Sequence, residues 1–185
     1  MSTYFNAWMH LDDDGLARLD LPEAVLVGLD PNRPHPYRAA GVIPQQQLDA
    51  LERLLNGDDL DGRPVVLGLH HPPADRHGDL YTRYMHGLSN AADLVGVIER
   101  SAVRPGAILC GHVHHGFTTT LPLASGPEVP VFDCGSSGYA FLPDERRCAS
   151  MCVYKVEAGA VTAERYQYDG AGFREEAGGA FASGR

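Results

Sequence analysis

The chain has 185 residues, of which 44% are hydrophobic, and this is enough for one globular domain with its own core. It carries 24 acidic and 15 basic residues, for a net charge of −9, and it has no basic stripe, so nucleic acid is not an expected partner. No apolar run is long enough to span a membrane, and the N-terminal residues do not resemble a secretory signal. These features predict a cytoplasmic protein with no membrane partner.

The first half of the chain predicts two buried strands and a helix. Residues 1–23 are polar and acidic, and we expect an irregular segment there. An apolar run at 24–29 predicts a strand, and the prolines that follow it predict a loop. A helix is expected from Pro44 to about Leu55, because leucines recur there on one face and proline suits the first helical turn. Asn-Gly at 56–57 is expected to end this helix with a left-handed glycine cap.

The next strand is predicted at 65–69. Two prolines at 72–73 prevent regular structure beyond it, and a polar loop follows over 74–90. A helix at 90–100 and a third strand at 107–110 complete an alternating pattern, which favours parallel pairing. Further strands are predicted at 117–121, 129–134, 151–156 and 161–168, with a hairpin turn at 157–160. Because these strands succeed one another directly, we expect antiparallel pairing and an α/β fold overall.

Four cysteines are present, and no two of them have the Cys-x-x-Cys spacing. This pattern predicts reduced, partly buried thiols. The alternative, in which Cys148 and Cys152 bind a metal, stays open.

Two histidine clusters follow the second and third predicted strands. They read HHPP at 70–73 and GHVHH at 111–115. In an extended segment His112 and His114 point to the same side, and His70 would reach them from the end of a neighbouring strand. Imidazoles that converge in this way suit a divalent metal ion. His71 and His115 would point away, so neither is expected to be a ligand. We expect His71 to support a ligand or to have a structural role.

The order of these motifs resembles a known family. The sequence LHHPP at 69–73 followed by CGHVH at 110–114 is similar to the C-terminal part of the calcineurin-like metallophosphoesterases. The resemblance is to the bacterial branch that includes cyclic-nucleotide and glycerophosphodiester phosphodiesterases. Segments similar to that branch also occur upstream, at 28–30 and 41–48. The resemblance covers about residues 24–173.

The resemblance implies a two-sheet sandwich flanked by helices in α-β-β-α layers. It also implies two divalent metal ions (Mn, Fe or Zn), one held by His70 and His112 and the other by His114. The implied reaction is hydrolysis of a small phosphoester, with a diester as the favoured substrate. It would proceed by in-line attack of a metal-activated water. Tyr81, Arg83 and His86 could contact a phosphate, but we assign no catalytic or substrate-binding residue.

The chain departs from the family pattern in its first half. The family's Asp-x-His, Gly-Asp and Gly-Asn-His motifs are missing before residue 24, and Asp-Arg-His at 75–77 lies in a loop with no strand before it. We therefore expect a partial metal site, in a chain that begins inside the domain and lacks its N-terminal strands. The expected organisation is an irregular segment at 1–23, a metallophosphoesterase-like domain at 24–173 and a flexible tail at 174–185.

Two other functions compete with this one. The chain could be a non-catalytic remnant or half-domain that binds a partner or serves a structural role. An unrelated amidohydrolase barrel also uses a His-x-His pair, but in that fold the pair comes early and further ligands follow it. The late position of the pair here argues against such a barrel.

Overall fold

The computed structural model describes residues 10–11, 15–32, 39–83, 85–139, 141–142 and 148–176. Within these ranges the chain forms two helices and ten strands. In chain order they are β1 His10–Leu11, β2 Ala17–Asp20, β3 Val25–Gly28, α1 Gln45–Leu55, β4 Val65–Gly68, α2 Ala91–Arg100, β5 Ala107–Cys110, β6 Phe117–Thr120, β7 Pro130–Asp133, β8 Ser150–Glu157, β9 Ala160–Tyr168 and β10 Phe173–Glu175.

The strands form two sheets. The larger sheet has the order β1-β2-β3-β4-β5-β7-β6, and the smaller has the order β10-β9-β8. Strands β3, β4, β5 and β7 are parallel, whereas β1, β2 and β6 join the sheet in antiparallel fashion. The second sheet is antiparallel throughout. The predicted α/β class is confirmed, and the strands of the alternating part pair in parallel as predicted. Among the later strands, expected to be antiparallel, β6 with β7 and β8 with β9 pair in that way, but β7 also pairs in parallel with β5.

Both helices cover one face of the large sheet. The apolar faces of α1 and α2 bury leucines such as Leu51 and Leu94 in a cluster with residues of β3 to β7. Asn90 links the two helical segments, because its Oδ1 accepts from the Ile43 N–H at 3.0 Å and its Nδ2 donates to the Ile43 carbonyl at 2.9 Å. No helix in the described ranges is both long and apolar enough to cross a bilayer.

The end of α1 differs from the predicted glycine cap. Asn56 keeps a right-handed conformation, and Gly57 has no positive φ. Instead, the backbone N–H and the Nδ2 of Asn56 both donate to the Glu52 carbonyl. The Gly57 N–H still donates to the Leu54 carbonyl at 3.2 Å, so this end of the helix is capped without a left-handed residue.

The second sheet packs on the opposite face of the large sheet. Phe132 and Val66 contribute from the large sheet, and Val161 and Ala163 contribute from β9. The described part of the chain therefore has three layers, helices, sheet and sheet, and both helices lie on the same side. The two packed sheets are as predicted, while the outer helical layer is not seen among the described residues.

Besides the two-residue β1, strands β2 and β10 lie where sequence reasoning expected none. The segment predicted to be irregular contains β2, which pairs with β3 over four residues. The tail predicted from residue 174 begins inside β10, which pairs with β9. Both strands are short and rich in charged residues, so they lack the apolar alternation that signals a strand. Residues 12–14 and 177–185 lie outside the described ranges.

Candidate metal centre

The sheet brings the two histidine clusters to one edge. β4 and β5 are parallel neighbours, with Gly68 paired to Leu109, so both strands end on the same side. Beyond them the Gly111 N–H donates to the His70 carbonyl at 3.1 Å. This is the edge of a parallel sheet where ligand sites commonly form.

Three imidazoles meet there: His70, His71 and His112. One ligand nitrogen of each lies within 4.8 Å of the others, and the group could hold a metal ion. The His70 Nε2 and the His112 Nδ1 are 3.1 Å apart. Two imidazole nitrogens on one tetrahedral zinc are separated by roughly 3.3 Å, so this pair already has a suitable spacing.

Backbone carbonyls fix the protons of two of these rings. His71 Nε2 donates to the Ala39 carbonyl at 2.7 Å, and His112 Nε2 donates to the Met85 carbonyl at 3.1 Å. Each bond assigns the proton to Nε2 and leaves a lone pair on Nδ1. The His71 Nδ1 is buried and has no hydrogen-bond partner in the described structure. Metal-binding histidines commonly have one ring N–H bonded to a carbonyl and the other nitrogen left for the metal, and His71 has this arrangement.

Electrostatics also favour neutral rings. Burial lowers the pKa of His71 to about 4, although its bond to Ala39 opposes the shift. Burial also lowers the pKa of His70, and the neighbouring His112 and His114 add to this effect. A neutral imidazole binds a metal without first releasing a proton, so both rings are ready to act as ligands near neutral pH.

The third member of the group is not the residue that sequence reasoning selected. His71 joins His70 and His112, although it had been expected to point away. His114 lies outside the group, and its ring contacts Tyr139 with centroids 5.3 Å apart. The prediction assumed extended backbone, but β4 ends at Gly68, and both His112 and His114 have positive φ, at 72° and 60°. Alternation therefore does not hold on either loop.

No carboxylate belongs to the group in the ranges the structure describes. Asp75, in the Asp-Arg-His sequence, instead closes a turn, since its Oδ1 accepts from the backbone N–H groups of His77 and Asp79. The dismissal of that sequence as a metal motif agrees with this geometry. Asp30 follows β3, and its charge opposes the lowering of the His71 pKa. Asp30 belongs to the segment at 28–30 that resembles the family, but the sequence had assigned it no role at the site.

A cavity of about 220 Å³ lies next to the metal centre, between loop 75–83 and loop 113–117. Its lining includes Arg76, His77, Tyr81, Arg83, His115 and Phe117. Tyr81 and Arg83 were named from the sequence as possible phosphate contacts, whereas His86 instead places its ring 6.1 Å from that of His112. His115, expected to point away from the metal, lines the cavity.

A second cluster of titratable groups lies between the sheets and away from the histidines. Asp133 is fully buried at the end of β7, and its Oδ2 has no hydrogen-bond partner in the described structure. The neighbouring Cys152 thiol lowers the pKa of Cys134, although burial opposes the shift. The four cysteines are free thiols, buried or half-buried, as predicted. Neither Cys148 nor Cys152 belongs to a group of metal donors in the described ranges.

Comparisons with known proteins give little further guidance. No protein-family model matches the chain, and no curated protein does. Among solved structures it is similar to a single mutant of Vps29 from Entamoeba histolytica, at 16% identity and a TM-score of 0.31. That match covers 82% of this chain and 96% of the Vps29 chain. At this level of similarity the match carries no argument about family or function, so the functional inference depends on the site itself.

Proposed function

We propose that this chain is a divalent-metal-dependent phosphoester hydrolase whose metal is held by His70, His71 and His112. The observation that carries the proposal is the arrangement of the three rings, with donor nitrogens within 4.8 Å of one another and one buried nitrogen without a partner. The order of the motifs along the chain, similar to that of the metallophosphoesterases, supports phosphoester hydrolysis as the reaction. His114 is the candidate ligand for the second ion that this resemblance implies.

The metal would act as a Lewis acid on a phosphoryl oxygen and lower the pKa of a bound water. The chain's own residues prepare the site for it. The carbonyls of Ala39 and Met85 hold two rings in the tautomer that presents Nδ1, so little reorganisation is needed on binding. His70 is exposed, and the site is therefore open to a substrate from solvent. The substrate is expected to be a small phosphoester.

A metal titration tests the first half of the proposal. Calorimetry with Zn²⁺ and with Mn²⁺ should show one strong site. The single changes His70→Ala, His71→Ala and His112→Ala should each weaken it by at least 10- to 100-fold, because that is already the usual cost of losing a group that only supports a ligand. His77→Ala is the matched control, because His77 is outside the group, and it should bind as the unchanged chain does. Equal affinity in the control and in His71→Ala would exclude this site.

A hydrolysis assay tests the second half. Bis(p-nitrophenyl) phosphate and p-nitrophenyl phosphate distinguish diester from monoester cleavage in the presence of Mn²⁺. We expect slow turnover, because no carboxylate in the described ranges joins the group. This turnover should require added metal and disappear in His112→Ala. Turnover that survives both chelation and His112→Ala would place the chemistry elsewhere.

The all-imidazole composition of the group also favours a second candidate, a non-catalytic module that binds metal or a partner. General acid–base catalysis needs a positioned proton donor or acceptor besides the metal ligands. The two candidates differ in one result: a module would bind Zn²⁺ through the three histidines and show no metal-dependent hydrolysis of either ester.

A further inference from the structure

The pocket beside the metal centre contains two arginines, Arg76 and Arg83, that are not paired with a carboxylate among the described residues. Several arginines outside it are paired with carboxylates, namely Arg18, Arg63, Arg100, Arg165 and Arg174. In contrast, neither the Arg76 nor the Arg83 side chain makes a hydrogen bond or ion pair within the described part of the chain. Both line the same cavity together with Asp75, whose Oδ1 accepts from two backbone N–H groups. Two arginines against one carboxylate leave this small space with a net positive charge, in a protein of net charge −9.

The backbone around the pocket is held in place. Asp75 Oδ1 accepts two backbone N–H groups, and the Asp75 N–H donates to the Asp79 carbonyl at 2.8 Å, which fixes the turn that bears Arg76. The Arg83 carbonyl accepts from the N–H groups of His86 and Gly87. Both arginines therefore extend from ordered loops, which reduces the entropy lost when they bind a ligand.

The pocket and the metal centre are built from the same two loops. Arg83 lines the cavity, and Met85, two residues later, supplies the carbonyl that orients His112. On the other loop, Val113 and His115 line the cavity directly after His112. Because Val113 directly follows His112, the cavity begins one residue along the chain from the metal centre.

We infer that this pocket binds a second phosphate group of the substrate, so that the preferred substrate is a phosphoester carrying an additional phosphomonoester. Arginine guanidinium groups match the oxygens of phosphate in bidentate geometry and favour it as a ligand. The Tyr81 and Phe117 rings add an apolar wall, which suits the organic part between the two phosphates. The link to a cleaved ester rests on the proposed function, whereas phosphate binding by the pocket does not.

Phosphate binding is tested on the metal-free chain. Calorimetric titration with inorganic phosphate in the presence of a chelator should show one site. Arg76→Gln and Arg83→Gln should each weaken it by about tenfold, the factor expected for one lost charge-assisted hydrogen bond. Arg100→Gln is the matched control, since Arg100 is exposed and already paired with Glu52. The inference would be overturned if inorganic phosphate did not bind, or if the unchanged chain and the three variants bound it with equal affinity. Either result would hold whatever the metal titration gives.

A kinetic comparison distinguishes a substrate phosphate from free phosphate. The probes are the thymidine 5′-(p-nitrophenyl phosphate) ester with and without a 3′-phosphate. The 3′-phosphorylated probe should have a kcat/KM about tenfold higher, and Arg83→Gln should abolish this preference. Phosphate binding without any preference would make the pocket a site for free phosphate and overturn the substrate assignment. Loss of metal binding alone would refute only the proposed hydrolase.

Discussion

Gly41 lies against the imidazole of His71 so closely that a Cβ atom there would come within 2.5 Å of the His71 Nδ1. Its position is fixed by the backbone, because its N–H donates to the Gly87 carbonyl at 2.9 Å and its carbonyl accepts from the Ser89 N–H at 2.8 Å. A glycine is therefore required for the buried histidine to keep its place.

Gly41→Ala should weaken metal binding more than it weakens the fold. The added methyl must displace the His71 ring. The ring would then lose its hydrogen bond to the Ala39 carbonyl and its orientation toward the other two histidines. We expect Zn²⁺ affinity to fall by about tenfold or more, in line with changes to groups that orient a ligand. Calorimetry measures the affinity, and Gly172→Ala is the control, since a Cβ there meets nothing within 4 Å. Unchanged affinity in Gly41→Ala would show that His71 is not a ligand.

Gly87→Ala should disrupt the loop that forms the pocket. A Cβ at this position would lie 1.6 Å from the Tyr81 carbonyl oxygen, a backbone atom that cannot rotate away. The loop must shift, and we expect a loss of about 1–3 kcal/mol in the free energy of unfolding, the range for overpacking. Urea denaturation provides the measurement. Stability equal to that of the unchanged chain would mean that Gly87 and Tyr81 do not approach in solution.

The buried Asp133 should make the stability depend on pH. Burial raises its pKa to about 8, although the Gly135 N–H lowers it in part. An unfolded aspartate titrates near pH 3.9. Between these values the native chain holds a proton that the unfolded chain has lost, so the free energy of unfolding falls as the pH rises. The full contribution is present below about pH 4 and is lost as the pH passes 8.

Asp133→Asn tests this directly, because the amide has a similar shape and does not titrate. Urea denaturation between pH 5 and pH 8 should show a decline in the unchanged chain of up to about 1.4 kcal/mol per pH unit. The variant should show a smaller slope. Identical slopes in both proteins would mean that Asp133 titrates normally.

Cys134 should be the most reactive of the cysteines between the sheets. The neighbouring Cys152 thiol lowers the pKa of Cys134, whereas burial raises the pKa of Cys110 well above its usual value. Iodoacetamide labelling at pH 7, followed by mass spectrometry, should modify Cys134 first and Cys110 last, because the thiolate is the reactive form. Cys152→Ala should slow labelling of Cys134. Faster labelling of Cys110 would contradict this order.

Sequence patterns placed the parallel strands and both helices well. The apolar run at 107–110 matches β5 at both ends, and the leucine spacing located α1, because burial of one continuous face imposes a period that shows in the residues. The same reasoning missed β2, in which Arg18 and Asp20 alternate with only two apolar residues. Such a strand is determined by pairing with β3, and pairing leaves no local pattern.

The candidate site was harder to predict than the fold. His70 and His112 were identified because strand ends of a parallel sheet meet at one edge. The choice between His71 and His114 depended on loop conformation, and alternation does not apply to residues with positive φ. The Ala39 carbonyl that orients His71 is distant in sequence, so no spacing rule could have found it. The two arginines of the pocket differ from other arginines of the chain in having no carboxylate partner among the described residues. That difference could be seen only in the structure, where the partners of the other arginines are known.

The three histidines depend on separate stretches of chain that are held together only in the native fold. His71 is buried against residues 39–41, and His112, which follows β5, is oriented by the Met85 carbonyl from the loop before α2. An ion bound there would select the native state and add to its stability by about 2.7 kcal/mol when free metal is one hundred times the dissociation constant. The melting temperature would then rise and fall with metal concentration, and the supply of metal would control how much of the chain is folded.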